Sequence, residues 1–188
     1  MVVDYEQAAN TIDFYALNGN RSYTDNIQMD FSVDPVERFN ITATFRYTNA
    51  KIELAGKGLV EKPMTSRFKG VLNLQYATNL NKWIFDFTAS LNGSCRVYDF
   101  MKDFKDADGK LIYKNGRTPI YPMLYAQVTR RFKGWDVYVG AENLTNFRQK
   151  NAIISAENPR SALFDASCIW GPLMGIKAHV GFRFTLWK

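Results

Sequence analysis

Long apolar runs are missing from this chain. Nowhere in its 188 residues do about 18 apolar side chains follow one another, which excludes a spanning helix. The opening MVVDYEQAANTIDF lacks the basic n-region and apolar core of a signal peptide, so the sequence as written is expected to carry no export address. Cysteine occurs twice, as Cys95 and Cys168, too sparse and too widely spaced for a metal cluster or a disulfide scaffold. Both read as small apolar fillers. Blocks of one charge are absent too: the net charge of +6 is spread along the chain with no basic helix and no RNA-binding signature, so nucleic acid is not an expected partner. Histidine occurs once, as His179, and no nucleophile elbow, P-loop or zinc pattern is present. No enzymatic activity, cofactor or metal is therefore expected. Asp103, Asp106, Asp108 and Gly109 have the flavour of a calcium loop, but Phe104 stands where the first ligand belongs and Asn115 where the closing Glu belongs. Asp108-Gly109 reads instead as a hairpin turn, with Lys110 to Lys114 as its returning arm. The sequons at Asn20, Asn40, Asn92 and Asn143 read as chance.

What is present is alternation. Hydrophobic residues make up 46% of the chain and aromatics 15%, yet mean hydropathy is -0.28, because polar residues are interleaved with apolar ones. In WIFDFTASLNGSCRVY, Trp83, Phe85, Phe87, Ala89, Leu91, Gly93, Cys95 and Val97 fall on one face of an extended chain. Ile84, Asp86, Thr88, Ser90, Asn92, Ser94, Arg96 and Tyr98 fall on the other. The same period of two runs through RFNITATFRY, IYPMLYAQVTRRF and the terminal HVGFRFTLWK. An apolar residue at every second position would smear around a helix of period 3.6. The pattern predicts strands at residues 22–34, 38–54, 64–79, 82–98, 119–132, 135–147 and 176–186, with residues 2–7 as the stump of another.

The connections alternate short and long: 34–38, 79–82 and 133–134 are tight, whereas 55–63, 99–118 and 148–175 are extended. An up-and-down meander with its short turns at one end and its long loops at the other is the plan of an outer-membrane barrel. Phe39, Trp83, Phe132 and Trp135 gather beside the short turns, as an interfacial girdle requires. The expected fold is all-β, an antiparallel up-and-down meander of about 7–8 long strands. A soluble lipocalin-like barrel has a similar plan with its apolar face inward, and periodicity alone does not choose between the two. Strand length favours the membrane, since soluble strands usually run about 3–10 residues.

GWDVYVGAENLTNFRQKNAII and FDASCIWGPLMGIKAHVGFRFTL closely resemble the C-terminal end of TonB-dependent outer-membrane receptors of the kind found in Bacteroides-like bacteria. VVDYEQAANTIDFYALNG and SYTDNIQMDFSVDPVERFNITATFRYTNAKIEL resemble the preceding strands of the same barrels, so the resemblance covers nearly the whole chain. Its most specific parts are Glu142 to Phe147 and GFRFTL. The resemblance implies a barrel of about 22 strands around an N-terminal plug. It also implies outer-membrane lipid as surroundings, a small-molecule substrate such as a siderophore, cobalamin or metal complex, and energy supplied by the TonB complex through the plug. Residues 1–188 would be the C-terminal part of that barrel, forming an open curved sheet. Residues 176–186 would lie at one edge and residues 2–7 or 22–34 at the other. Plug, energy-coupling segment and the other barrel strands are lacking in the sequence as written, so transport is not expected of this polypeptide alone. The last strand resembles the signal read by the barrel assembly machinery, with His179, Gly181, Phe184 and Leu186 in the matching positions, while Trp187 and Lys188 run past its usual end.

Ligand chemistry is left to the long loops. The stretch from Arg148 to Gly175 carries Arg160, Phe164, Asp165 and Trp170, which are candidates for substrate contact at the extracellular mouth. A small eight-stranded outer-membrane protein and a soluble ligand-binding barrel are the alternatives to a receptor segment.

Overall fold

A computed structural model describes residues 2–16, 21–105, 108–162 and 164–186; Asn20, Asp106, Trp187 and Lys188 lie outside the described residues. The described chain is all-β, with no α-helix. β1 (Val2–Asp4) and β2 (Asp13–Tyr15) pair only with each other. The main sheet contains β3 (Tyr23–Val36), β4 (Phe39–Leu54), β5 (Gly58–Glu61), β6 (Phe68–Ala77), β7 (Trp83–Asn92), β8 (Tyr121–Phe132), β9 (Trp135–Glu142) and β10 (Lys177–Phe184). Its strand order is β10-β9-β8-β7-β6-β4-β3, with β5 paired to β4, and every pairing is antiparallel. β3 and β10 are its edges.

Register turns the alternation into rows. Val180, Val139, Val128, Phe85, Tyr76, Phe39 and Val36 stand side by side across seven strands. One residue along, His179, Gly140, Gln127, Asp86, Gln75 and Asn40 form a polar row on the opposite face. Because side chains alternate with period two, a slip of one residue in any strand would break both rows. β3 holds its phase through a bulge. Val33 faces Ile41 and Val36 faces Phe39, so Asp34 and Pro35 oppose Asn40 alone. The extra residue carries Val36 back to the apolar face, and Pro35, which has no N–H to give a ladder, lies on an edge strand.

The short turns fall where the sequence places them. Glu37 and Arg38 link β3 to β4, with Arg38 at φ 68, and Lys133-Gly134 links β8 to β9, with Gly134 at φ 81. Asn79–Asn81 forms a 3₁₀ turn between β6 and β7. The long connections gather at the other end.

Several expected strands are shorter than the alternation suggests. β7 ends at Asn92, and beyond it only the isolated bridges Ser66–Cys95 and Arg96–Arg117 continue the pairing. Residues 93–98 instead enter the loops, where Val97 is 0% exposed. β6 begins at Phe68, β9 ends at Glu142 and β10 ends at Phe184, leaving Leu186 beyond its last strand. Residues 55–63 hide a return strand, β5, that folds back on the end of β4. Residues 2–7 are no edge of the sheet, because β1 pairs with β2; the edge opposite β10 is β3.

Ala50 and Leu54 at the end of β4 are buried, but the main buried cluster lies outside the sheet. Val97, Met101, Tyr113 and Cys168, all from the long connections, form the buried cluster, with Met64, Tyr98, Phe100, Phe104, Ile112, Ile154 and Trp170 packed against it. The apolar rows are uncovered by contrast: Phe31 is 63% exposed and Val180 75%.

Candidate functional site

Two surfaces carry polar chemistry: the polar face of the sheet and the cap formed by the long connections. On the sheet, short side chains bond from strand to strand. Thr44 Oγ1 donates to Asp30 (2.7 Å), Asn73 Nδ2 to Thr88 Oγ1 (2.8 Å) and Gln75 Nε2 to Asp86 (2.7 Å). His179 Nε2 lies 3.4 Å from Gln127 Oε1. Asp86, Thr88, Tyr125, Gln127, Glu142 and His179 line a hollow of about 250 Å³ on this face. Side chains of this size leave room above the sheet.

β9 and β10 interlock through glycine. Gly181 pairs with Tyr138 and Gly140 with His179. A β-carbon at Gly181 would collide with the Tyr138 ring, and one at Gly140 would meet His179 Nε2 at 2.5 Å. Each ring thus covers the glycine across from it. Of the four candidate assembly-signal residues, His179, Gly181 and Phe184 lie within β10, while Leu186, 84% exposed, follows it.

The cap is stitched by ions. Glu6, 3% exposed, receives both Arg96 guanidinium nitrogens at 2.5 and 2.7 Å and Lys57 Nζ at 3.3 Å. Arg96 also reaches Asp99 (2.8 Å) and the Glu61 carbonyl (3.0 Å), and Asp99 accepts from Lys57 (2.6 Å) and pairs with Lys102 (2.5 Å). A second cluster places the Glu61 carboxylate between Arg117 (2.9 and 3.0 Å) and Arg67 (2.6 and 3.0 Å). Burial pushes the Asp99 and Glu61 carboxyls up, but these cations outweigh it and hold both below the usual carboxylate range. Nothing local in the sequence announces these partners, since Glu6 and Arg96 stand 90 residues apart.

The candidate loop residues have different surroundings. Arg160 is exposed and Phe164 half-buried. Asp165 is buried and fully engaged: it accepts from the Asn10 N–H (2.8 Å), the Ser167 N–H (2.7 Å) and the Ser167 hydroxyl (2.6 Å). Burial raises its carboxyl and these donors lower it, with a net shift downward. Trp170 donates Nε1–H to Tyr113 Oη (3.3 Å), and its backbone N–H donates to Gln149 Oε1 (2.8 Å). The rings of Tyr121 and Phe147 stack 4.4 Å apart beside it. Asp165 and Trp170 therefore hold the cap together. None of the four lines a cleft of about 750 Å³ that lies among Phe104, Ile112, Ile153, Ile154 and Leu173 with Asp103, Lys105 and Glu157.

No protein-family model matches this chain, and no curated protein matches it.

Three further sequence readings meet the structure directly. Both cysteines are free and buried; burial, and then the charge of Asp165, pushes the Cys168 thiol up to about 11, and burial raises Cys95 as well. Lys105 bridges Leu111 and the Ile112 N–H reaches the Phe104 carbonyl (2.9 Å), so a hairpin does turn at Asp108-Gly109. Asn143 is buried, and its Nδ2 donates to the carbonyls of Phe147 (2.8 Å) and Met174 (2.9 Å), so this sequon side chain closes the start of the β9–β10 loop.

Proposed function

We propose that this chain is the C-terminal portion of the β-barrel of a TonB-dependent outer-membrane receptor for a scarce nutrient, and that it transports only as part of the whole receptor. The observation that carries this reading is the segregation of faces: two apolar rows, Val180 to Val36 and Ala178 to Val33, run unbroken from β10 to β3, no other layer among the described residues covers them, and rows of small hydrogen-bonded polar residues back them. Lipid is the solvent such an apolar face suits, and a water-filled or plugged lumen suits the other. From Ile27 to Val36 the apolar rows run about 30 Å along the strand, which at a tilt near 45° spans about 20 Å across the membrane and fits within the apolar band of about 25 Å in such barrels.

Strand parity supports a larger closed structure. The long strands β3, β4, β6, β7, β8, β9 and β10 alternate in direction, so the first and seventh run the same way. Closing them alone would join β3 and β10 in parallel, whereas bacterial barrels close with an even number of antiparallel strands. This argues against a self-sufficient eight-stranded barrel, for β1 is engaged with β2, not with the sheet. A soluble lipocalin-like barrel would bury its apolar face, and here that face is open. Within the receptor, the polar rows would line the lumen around the plug, and the cap would stand at the extracellular mouth, where a siderophore, cobalamin or metal complex first meets the protein.

The genomic sequence upstream of Met1 tests the proposal. Coding sequence for a plug and further alternating strands is expected, in frame or interrupted; an unrelated gene abutting Met1 overturns it. A monomer of the chain alone that inserts into liposomes and pairs β10 with its own first strand would establish the small-barrel alternative instead.

A further inference from the structure

Arg130 is the single charged residue in the apolar rows between Ile27 and the short turns, among the described residues. It sits between Trp83 of β7 and Val137 of β9, two residues from the β8–β9 turn. A charge on a lipid-facing strand is costly at the membrane midplane and tolerated near the interface, so its depth suits the headgroup boundary. Its guanidinium lies over the rings of Trp83 (4.7 Å) and Phe132 (5.3 Å). No carboxylate among the described residues pairs with it. The acidic groups at this end are otherwise engaged, Asp136 with Arg131 (3.5 Å) and Glu37 with Arg38 (3.8 Å). Stacking holds the guanidinium plane and leaves its N–H edge for an oxyanion. Lys82 and Lys133, exposed in the adjoining turns, add two further cations.

We propose that Arg130, flanked by Lys82 and Lys133, forms a headgroup site for an anionic phospholipid in the leaflet at the short-turn end. The proposal rests on the membrane reading above. The guanidinium donates to the lipid phosphate from its fixed position on Trp83 and Phe132, the two lysines attract the anionic headgroup, and the acyl chains run along Val128, Val139 and Phe182.

The test uses the intact barrel containing this chain, reconstituted in vesicles of equimolar phosphatidylcholine and phosphatidylglycerol, with the retained lipid read by native mass spectrometry. The wild type is expected to retain phosphatidylglycerol over phosphatidylcholine by about fivefold, the factor one cation contributes at an anionic surface. Arg130→Gln should lower the preference severalfold; Arg130→Lys, which keeps the charge but loses the planar fork, should lower it less. If Arg130→Gln fails to insert, the Lys82→Gln/Lys133→Gln pair, which leaves the apolar face intact, must lower the preference. Equal retention of both lipids by the wild type, or a preference untouched by these changes, overturns the site. So does loss of the preference on adding inorganic phosphate, which would assign it to a soluble anion. A barrel that never enters the vesicles sinks the membrane reading, and this inference with it.

Discussion

The ring of Tyr138 on β9 covers Gly181, its register partner on β10, in the space a β-carbon at position 181 would need. A glycine in the resembled assembly signal thereby has a packing reason of its own: the last strand docks only if its neighbour's aromatic can lie flat across it. Gly181→Val should weaken the β9–β10 pairing by about 1–3 kcal/mol, the usual cost of overpacking. Adding Tyr138→Ala should restore part of that loss. Urea titration of the folded barrel checks both; a double variant no better than Gly181→Val alone refutes the packing account.

In the proposed receptor, Phe184→Asp should hinder insertion strongly, because Phe184 lies within β10 on the apolar face and pairs with Trp135. Leu186→Asp should do less, since Leu186 follows the paired strand. Normal amounts of heat-modifiable barrel after Phe184→Asp would contradict the assignment.

Cysteines placed singly at Phe87 and Thr88 in the full receptor report which face meets lipid. Thr88, hydrogen-bonded to Asn73 on the polar face, should react with a water-soluble thiol reagent, and Phe87 should stay silent. The reverse result would put the polar face outside. Phe87→Arg is expected to cost about 2–4 kcal/mol if that row lies near the midplane.

Arg96→Leu should loosen the cap, leaving the buried Glu6 carboxylate with Lys57 as its remaining cation. Breaking a buried pair by removing one partner costs about 3–5 kcal/mol, and the partial exposure of Lys57 and Asp99 argues for the lower end. Hydrogen exchange in residues 93–118 should rise while β8 and β9 stay protected. Unchanged exchange would show that the cap is held by its apolar cluster alone.

Acid should open the cap late. Asp99 and Glu61 have carboxyls lowered in the folded state, so their contribution is full above the ordinary carboxylate range and is lost as pH falls through the depressed values. Exchange in the cap should therefore be flat from neutral pH to about pH 5 and rise only below about pH 4. Loosening near pH 6 would point to a different group.

The strand faces were legible because alternation fixes side-chain direction: Trp83, Phe85, Phe87 and Leu91 share the face that the alternation assigns them, and Lys133-Gly134 turns where two residues separate two aromatics. The same alternation misled at Cys95 and Val97. A segment of alternating apolar residues packs equally well on a cluster of loops, and only the distant Tyr113 and Cys168 decide that it does. β5 was hidden because its partner is the end of β4, past the point where one face stays apolar. Residue type marks Asp165 and Trp170 as candidates for ligand contact; their bonds to Asn10, Ser167, Tyr113 and Gln149 are relationships of the fold that residue type does not encode.

Glu6 comes from the segment before β3, Arg96 and Asp99 from the β7–β8 loop and Lys57 from the β4–β5 turn, while Asn10 ties the same segment to Asp165 of the β9–β10 loop. These loops are consequently not interchangeable parts. Transplanting one of them onto a related barrel would strand a buried charge at each severed tie, so grafting works only with the whole set. Drift in one loop is likewise constrained by the residues of the others, and substitution is freest at exposed positions such as Arg160, outside the stitching.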